Sequence, residues 1–270
     1  MTLPNLFHIE AADGTQLAGR EWRPHGDAEH HVLLVHGFGE HLGRYDYLGE
    51  CLAEQGVRTV GVDLRGHGLS KGLRGHVRRW SDYCADVSAM AEMMPPKCTL
   101  LAHSMGGLIA LDWLRENQER IGHMVLSGPL VGEAVANPAW KKAMASTLSH
   151  ILPWVPVASG IPLADLSTDA DEVALFERDS LRVKTVTPRW YTEMLKAMER
   201  VWNHMPRYST PMHLHVAGDE RIIDRAALDR LYAEWPGAKD RWIWEGGRHE
   251  ILKEPFREGV VAAMREGLSG

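Results

Sequence analysis

Ser104 stands in Ala102-His103-Ser104-Met105-Gly106-Gly107, directly after the short apolar run Thr99-Leu100-Leu101 and directly before a stretch of helical spacing. A serine held on so tight a turn between strand and helix needs small residues two before and two after it, because larger side chains would collide with the adjoining elements. Ala102 and Gly106 meet that need, the first with one methyl more than the usual glycine. A serine that merely caps a helix leaves the preceding strand and the paired glycines without a reason. The chemistry open to such a serine is nucleophilic attack on a carbonyl, and it requires a base.

Where a nucleophile sits on a strand-to-helix turn, its partners follow in the order acid, then histidine. Of fifteen histidines only His249 lies beyond the penultimate apolar run, in Glu245-Gly246-Gly247-Arg248-His249, and it is the expected base. The acid should leave the run at 212–216, where Asp219, Glu220 and Asp224 follow. Asp224 is far enough along to cap the next helix. Asp219 and Glu220 could each orient an imidazole, and their spacing leaves both open.

His36-Gly37-Phe38-Gly39-Glu40-His41 follows the run at 31–35, and its glycines let the chain bend so that a backbone N–H meets a developing oxyanion. The N–H of Met105 is the natural second donor. His36 and His41 have no further ligand cluster beside them, and the pair His213 and His215 suits packing or hydrogen bonding, so no metal is expected. Asp63-Leu64-Arg65-Gly66-His67-Gly68-Leu69-Ser70 suits a tight turn buttressing the oxyanion loop. It lacks G-x-G-x-x-G, so nothing supports a dinucleotide.

The elements that must hold these residues follow from hydrophobic periodicity. Runs at 6–10 and 16–22 flank Asp13-Gly14 and predict an antiparallel hairpin. Short strands at 31–35, 57–62, 99–102 and 123–126 then alternate with helices at 45–55, 82–94 and 105–117, the second stopped by Pro95-Pro96. Two further units follow: strand 212–216 with helix 225–235, then strand 241–244 with a closing helix from about 255. This is an α/β pattern, a mostly parallel sheet covered on both faces. Between Gly128 and Pro211 the alternation fails in a helical, proline-broken segment carrying four tryptophans, so the expected organisation is a core of 1–128 and 211–270 around a helical cap of 129–210.

Composition excludes other classes. At 44% apolar and 24% charged the 270-residue chain can bury a core of its own, and its net charge of −6 with no basic run gives no grip on nucleic acid. Cys51, Cys84 and Cys98 show no C-x-x-C, which argues against a disulfide framework and suits a reducing compartment. No secretory leader is visible, so the expected place is the cytoplasm. The uncharged stretch 143–164 is interrupted by Pro153, Pro156, Pro162 and Gly160 and is not a membrane-spanning helix.

The motifs H-G-F-G-E-H, D-L-R-G-H-G-L-S, A-H-S-M-G-G and R-H-E-I-L-K-E together resemble the α/β-hydrolase family of monoacylglycerol lipases and bacterial lysophospholipases, over nearly the whole chain. The resemblance implies a serine esterase hydrolysing the ester of a single-chain lipid beneath a helical cap, without a cofactor. It implies Ser104 as nucleophile, His249 as base, Phe38 and Met105 as oxyanion donors, and Glu220 as acid with Asp219 as the alternative. Dehalogenases and epoxide hydrolases of this fold are set aside, since they carry aspartate where this chain has Ser104. A general carboxylesterase, an acyltransferase or perhydrolase, and a non-catalytic ligand receptor are the other readings. Within the cap, the tract 148–157 is apolar enough to line an acyl pocket through Trp154 and Val155, to dip into a membrane surface, or to be packing.

Overall fold

The hydrophobic runs become strands and the spaced stretches become helices. In the computed structural model, which describes residues 3–134 and 138–268, β1 (Asn5–Glu10) and β2 (Gln16–Trp22) pair antiparallel. There follow β3 (His30–Val35), α1 (Asp46–Ala53), β4 (Val57–Val62), α2 (Trp80–Ala91), β5 (Cys98–His103), α3 (Met105–Leu114) and β6 (Ile121–Ser127). The chain then departs from the sheet through α4 (Ala139–Ile151), β7 (Val157–Ala158), α5 (Ala170–Arg178), β8 (Thr185–Val186) and α6 (Pro188–His204). It returns as β9 (Met212–Ala217), α7 (Arg225–Glu234), β10 (Lys239–Trp244) and α8 (Arg257–Glu266). Residues 1–2, 135–137 and 269–270, which fall within the core and cap ranges expected above, lie outside the described residues.

The eight-stranded sheet runs β1-β2-β4-β3-β5-β6-β9-β10, with β1 and β2 antiparallel to their neighbours and the rest parallel. After β3 the chain adds β4 on one side and then β5 on the other, so the order reverses at β3. A crevice opens at such a reversal, outside the carboxyl ends of the strands. Alternation divides the core: Leu33 and Val35 pack with α2, α3 and α7, whereas Val32 and Leu34 pack with α1 and α8.

Two departures from the expected elements have physical causes. Helix α2 ends at Ala91 rather than 94, because the ring of Pro95 would collide with the carbonyl four residues before it. The strands β7 and β8 pair antiparallel over two residues each, too short to leave a period in the sequence. The inserted segment also joins the main core, since Trp190, Met194, Ala197 and Val201 of α6 share one cluster with α2 and α3.

On the α8 side of β9 and β10, histidines replace the aliphatic residues. His215 lies flat against Trp242, with ring centroids 4.9 Å apart, and continues through Trp244 to Phe256. His213 stacks on the other part of Trp242 and meets His123 edge-on. Among the described residues no helix is long and apolar enough to cross a membrane.

Candidate active site

Ser104 closes β5 and opens α3 with φ of 52° and ψ of −119°, a left-handed conformation that strains a residue with a side chain. Its neighbours explain how the turn fits. A Cβ on Gly106 would stand 2.4 Å from the carbonyl oxygen of Val35, and one on Gly107 would stand 2.6 Å from Cβ of Pro129. The extra methyl of Ala102 is accommodated in the core.

The loop after β10 brings His249 over this serine. Nε2 lies 2.8 Å from Oγ of Ser104, and Nδ1 lies 2.9 Å from Oε2 of Glu220. Oε1 of Glu220 accepts from the N–H groups of Ile222 and Ile223 at 2.9 and 3.1 Å, so both carboxylate oxygens are engaged. With Nδ1–H donating to Glu220, Nε2 is free to accept the serine proton. Burial opposes a charge on His249, but the Glu220 carboxylate and its hydrogen bond outweigh that and raise the imidazole above its ordinary value. Burial likewise opposes the charge on Glu220, yet the His249 charge and the hydrogen bonds hold it below the usual carboxylate range.

Asp219 points elsewhere. Its carboxylate reaches Arg221 at 2.6 Å and Arg248 at 3.6 Å on the outer side of the loop. Of the two carboxylates left open by spacing, the backbone turns Glu220 to His249 and Asp219 to solvent. His103 is also near, its ring centroid 4.8 Å from that of His249, but burial and the His249 charge push it down to about 4. So weak a base, its Nδ1–H donating to the carbonyl of Ser127 at 3.0 Å, is a poor acceptor for a serine proton.

The loop 36–41 wraps the other side of Ser104. A Cβ on Gly37 would come within 3.1 Å of Cβ of Ser104 and 2.8 Å of Oε1 of Glu40. Glu40, which the sequence did not single out, accepts from the N–H of Gly37 at 2.5 Å and from the hydroxyl of Tyr45 at 2.7 Å. His36 donates to the carbonyl of Gly37 at 2.7 Å and accepts from the N–H of Leu64 at 2.9 Å, tying the loop to the 63–70 turn. Asp63 in that turn takes the N–H groups of Leu42 and Leu69, each at 2.8 Å. Among the described residues the N–H groups of Phe38 and Met105 have no protein acceptor.

Above Ser104 opens a cavity of about 420 Å³, walled by Phe38, Met144, Leu148, Val157, Ile161, Val186, Trp190, Met194 and Ile222. Glu133, Lys141, Ser159, Thr187, Tyr191 and Arg221 also line it and bring charge or hydrogen-bonding groups. Trp154 and Val155 are not in this wall, which corrects the expectation drawn from the tract 148–157. They are 58% and 37% exposed, and Trp154 borders a separate arginine-rich cleft. The ends of the tract, Leu148 and Val157, face the cavity, because α4 ends at Ile151 and the chain turns through Pro153 on the outside before returning in β7. Also not singled out from sequence were Met144, Ile161, Val186, Ile222 and the α6 residues Trp190 and Met194, the last two recurring at helical spacing without a signal for which neighbour they face.

The chain is similar to known proteins over most of its length. Residues 26–256 match the model of the family Hydrolase_4, described as serine aminopeptidase, S33. The chain is 31% identical over 240 residues to phospholipase YtpA of Bacillus subtilis (strain 168), covering 87% of this chain and 93% of that one. It is 31% identical over 265 residues to monoglyceride lipase of Homo sapiens, covering 93% and 85%. The crystal structure of Paleococcus ferrophilus monoacylglycerol lipase superimposes with a TM-score of 0.87 at 28% identity, over 93% of this chain and 98% of that one.

Proposed function

The chain belongs to the Hydrolase_4 family of α/β-hydrolases, and from that premise we propose that it is a serine carboxylic-ester hydrolase acting on single-chain lipid esters of the monoacylglycerol or lysophospholipid type. The observation that carries the reading is the line Ser104, His249, Glu220, with 2.8 and 2.9 Å contacts, at the floor of an apolar cavity. Relatives named as a phospholipase and as monoglyceride lipases support the substrate class.

In this reading Oγ of Ser104 attacks the ester carbonyl as His249 Nε2 takes its proton. Glu220 keeps the imidazole in the right tautomer and stabilises its cation, and the N–H groups of Phe38 and Met105 receive the oxyanion. The imidazolium then protonates the leaving alkoxide, and the glycerol or glycerophospho group departs. Water repeats the sequence on the acyl-enzyme and releases the fatty acid. Every proton passes between these side chains, substrate and water, so the steps call on no cofactor. Outside the cavity Trp140, Ile151, Leu152 and Trp154 stand exposed on one segment, a surface suited to meet the lipid phase from which the substrate is drawn.

The test is a panel of monoacylglycerols, lysophospholipids, p-nitrophenyl esters of graded chain length and aminoacyl p-nitroanilides, with fluorophosphonate labelling. Wild type should turn over the lipid esters and take the label, and Ser104→Ala should do neither. Turnover of the anilides alone, or of short water-soluble esters alone, would replace the lipid-ester reading.

A further inference from the structure

The inserted segment does more than roof the cavity. Between α5 and α6 its residues 179–187 form a strap, and the strap is hydrogen-bonded to the loop carrying Phe38. Asp179 Oδ2 lies 2.7 Å from Nε2 of His41. Nδ1 of that ring accepts from the N–H of Gly43 at 3.1 Å, so the proton sits on Nε2 and the ring donates to Asp179. The other oxygen of Asp179 accepts from the N–H of Leu181 at 2.8 Å, which fixes the carboxylate. Both side chains are largely buried, at 11% and 20% exposure.

Two residues on from Leu181, the N–H of Val183 donates to the carbonyl of Gly39 at 2.9 Å. Gly39 has φ of +80°, and a Cβ there would stand 2.9 Å from the carbonyl oxygen of Val183, so strap and loop touch backbone to backbone. The far end of the strap is fixed as well. The N–H of Thr187 donates to the carbonyl of Gly75 at 3.1 Å, and Val186 and Thr187 line the cavity beside Phe38.

Phe38 therefore lies between two residues, Gly37 and Gly39, one held by Glu40 from the core and the other by the strap. A peptide flanked by glycines has little conformational preference of its own, so its N–H points where its neighbours are held. We propose that the Asp179–His41 pair, with the Val183–Gly39 hydrogen bond beside it, fixes the Phe38 N–H in the oxyanion hole, which makes Asp179 and His41 positioning residues for acyl transfer. The inference rests on the serine-hydrolase reading of the site and adds that the inserted segment completes the catalytic machinery.

The test compares Asp179→Ala, Asp179→Asn and His41→Gln with wild type for kcat, KM, thermal midpoint, and the inhibition constants of an alkyl boronic acid and of a non-reacting alkyl amide. Losing an oxyanion donor outright costs about 10² to 10³ in kcat, so misplacing one should cost roughly tenfold to a hundredfold. In Asp179→Ala, kcat should fall by that factor with KM within about threefold, since the lost interaction belongs to the transition state. The boronic acid should weaken by a similar factor and the amide should not. Asp179→Asn, whose amide oxygen can still accept from Nε2–H, should recover part of the loss, as should His41→Gln, whose amide can still donate. A lowered thermal midpoint with unchanged kcat, or a loss carried wholly by KM, would make the pair merely structural and overturn the proposal. Fluorophosphonate labelling of the wild type separates the two levels: an unlabelled, inactive wild type defeats the site reading itself, whereas a labelled, active wild type matched by Asp179→Ala defeats only this inference.

Discussion

Glu220 and Asp219 are adjacent carboxylates with opposite surroundings, and their variants should differ accordingly. Glu220→Gln keeps the shape but withdraws the charge that stabilises the His249 cation, so kcat on a p-nitrophenyl ester should fall by about 10² to 10⁴. Asp219→Asn, at the solvent face with Arg221 and Arg248, should cost about tenfold or less; a reversal of the two results would reverse the roles. On the proposed reading His249 must be neutral to act, and Glu220 raises it above its ordinary 6.5, so kcat/KM should decline on the acid side through an apparent pKa above that value. A rate profile flat down to pH 5 would contradict it. That Ser104 and His249 meet was legible because steric need at a tight turn and order along the chain each leave one candidate. Which carboxylate meets His249 was not legible from spacing, because it depends on how the backbone leaves β9: the N–H of Asp219 donates to the carbonyl of Gly247, while the carboxylate of Glu220 accepts two backbone N–H groups. Glu40 gave no signal beyond its place among glycines, since the tertiary partner Tyr45 defines its role.

The wall of the cavity is decided by elements rather than by single residues. Leu148 on α4 and Val157 on β7 face inward, whereas Trp154, in the turn between them, faces outward. Each buried methylene contributes about 0.8 kcal/mol, so Leu148→Ala should lower kcat/KM for a long-chain ester by several-fold more than for butyrate. Trp154→Ala should leave that ratio unchanged, and an equal shift in both variants would show the tract wrongly divided. Composition revealed an apolar tract but not its inward and outward parts, because a proline-broken segment has no period to assign faces. The strands of the sheet were legible to within two residues at most ends, since runs such as Leu100-Leu101-Ala102 are buried on both sides and show it in composition. The β7–β8 pair was not, being two residues long and formed only once the insertion has folded back on itself.

At the scale of the whole molecule, stability should depend on pH through histidines kept neutral by burial. His67 and His215 are pushed down to about 3 and His103 to about 4, in each case mainly by burial. The unfolded chain binds protons at these positions below about 6.5 and the folded one does not. Their contribution is therefore intact above 6.5 and lost as pH falls, at about 1.4 kcal/mol per unit for a fully buried ring such as His215. His249, raised by its partner, has the opposite sign: its contribution is present below 6.5 and is lost as pH rises through its folded value. The depressed rings outnumber it, so the urea midpoint should drop steeply between pH 6.5 and 4, and His215→Phe, which keeps a ring against Trp242, should flatten that slope. A midpoint constant over this range would refute the argument. The reversal of strand order at β3, which brings the ends of β3 and β5 side by side, could not be read from hydrophobic runs, which name strands but not their neighbours. The bonds from Asp179 and Val183 to the loop after β3 carry a consequence for how such proteins diversify. A segment that reads as a detachable insertion is stitched into the loop beside Ser104, so grafting it between homologues would carry over the cavity wall and, on the proposed reading, break the bonds that hold the Phe38 peptide. A successful chimera would have to transfer residues 36–43 along with the graft, because the two stretches are bonded to each other.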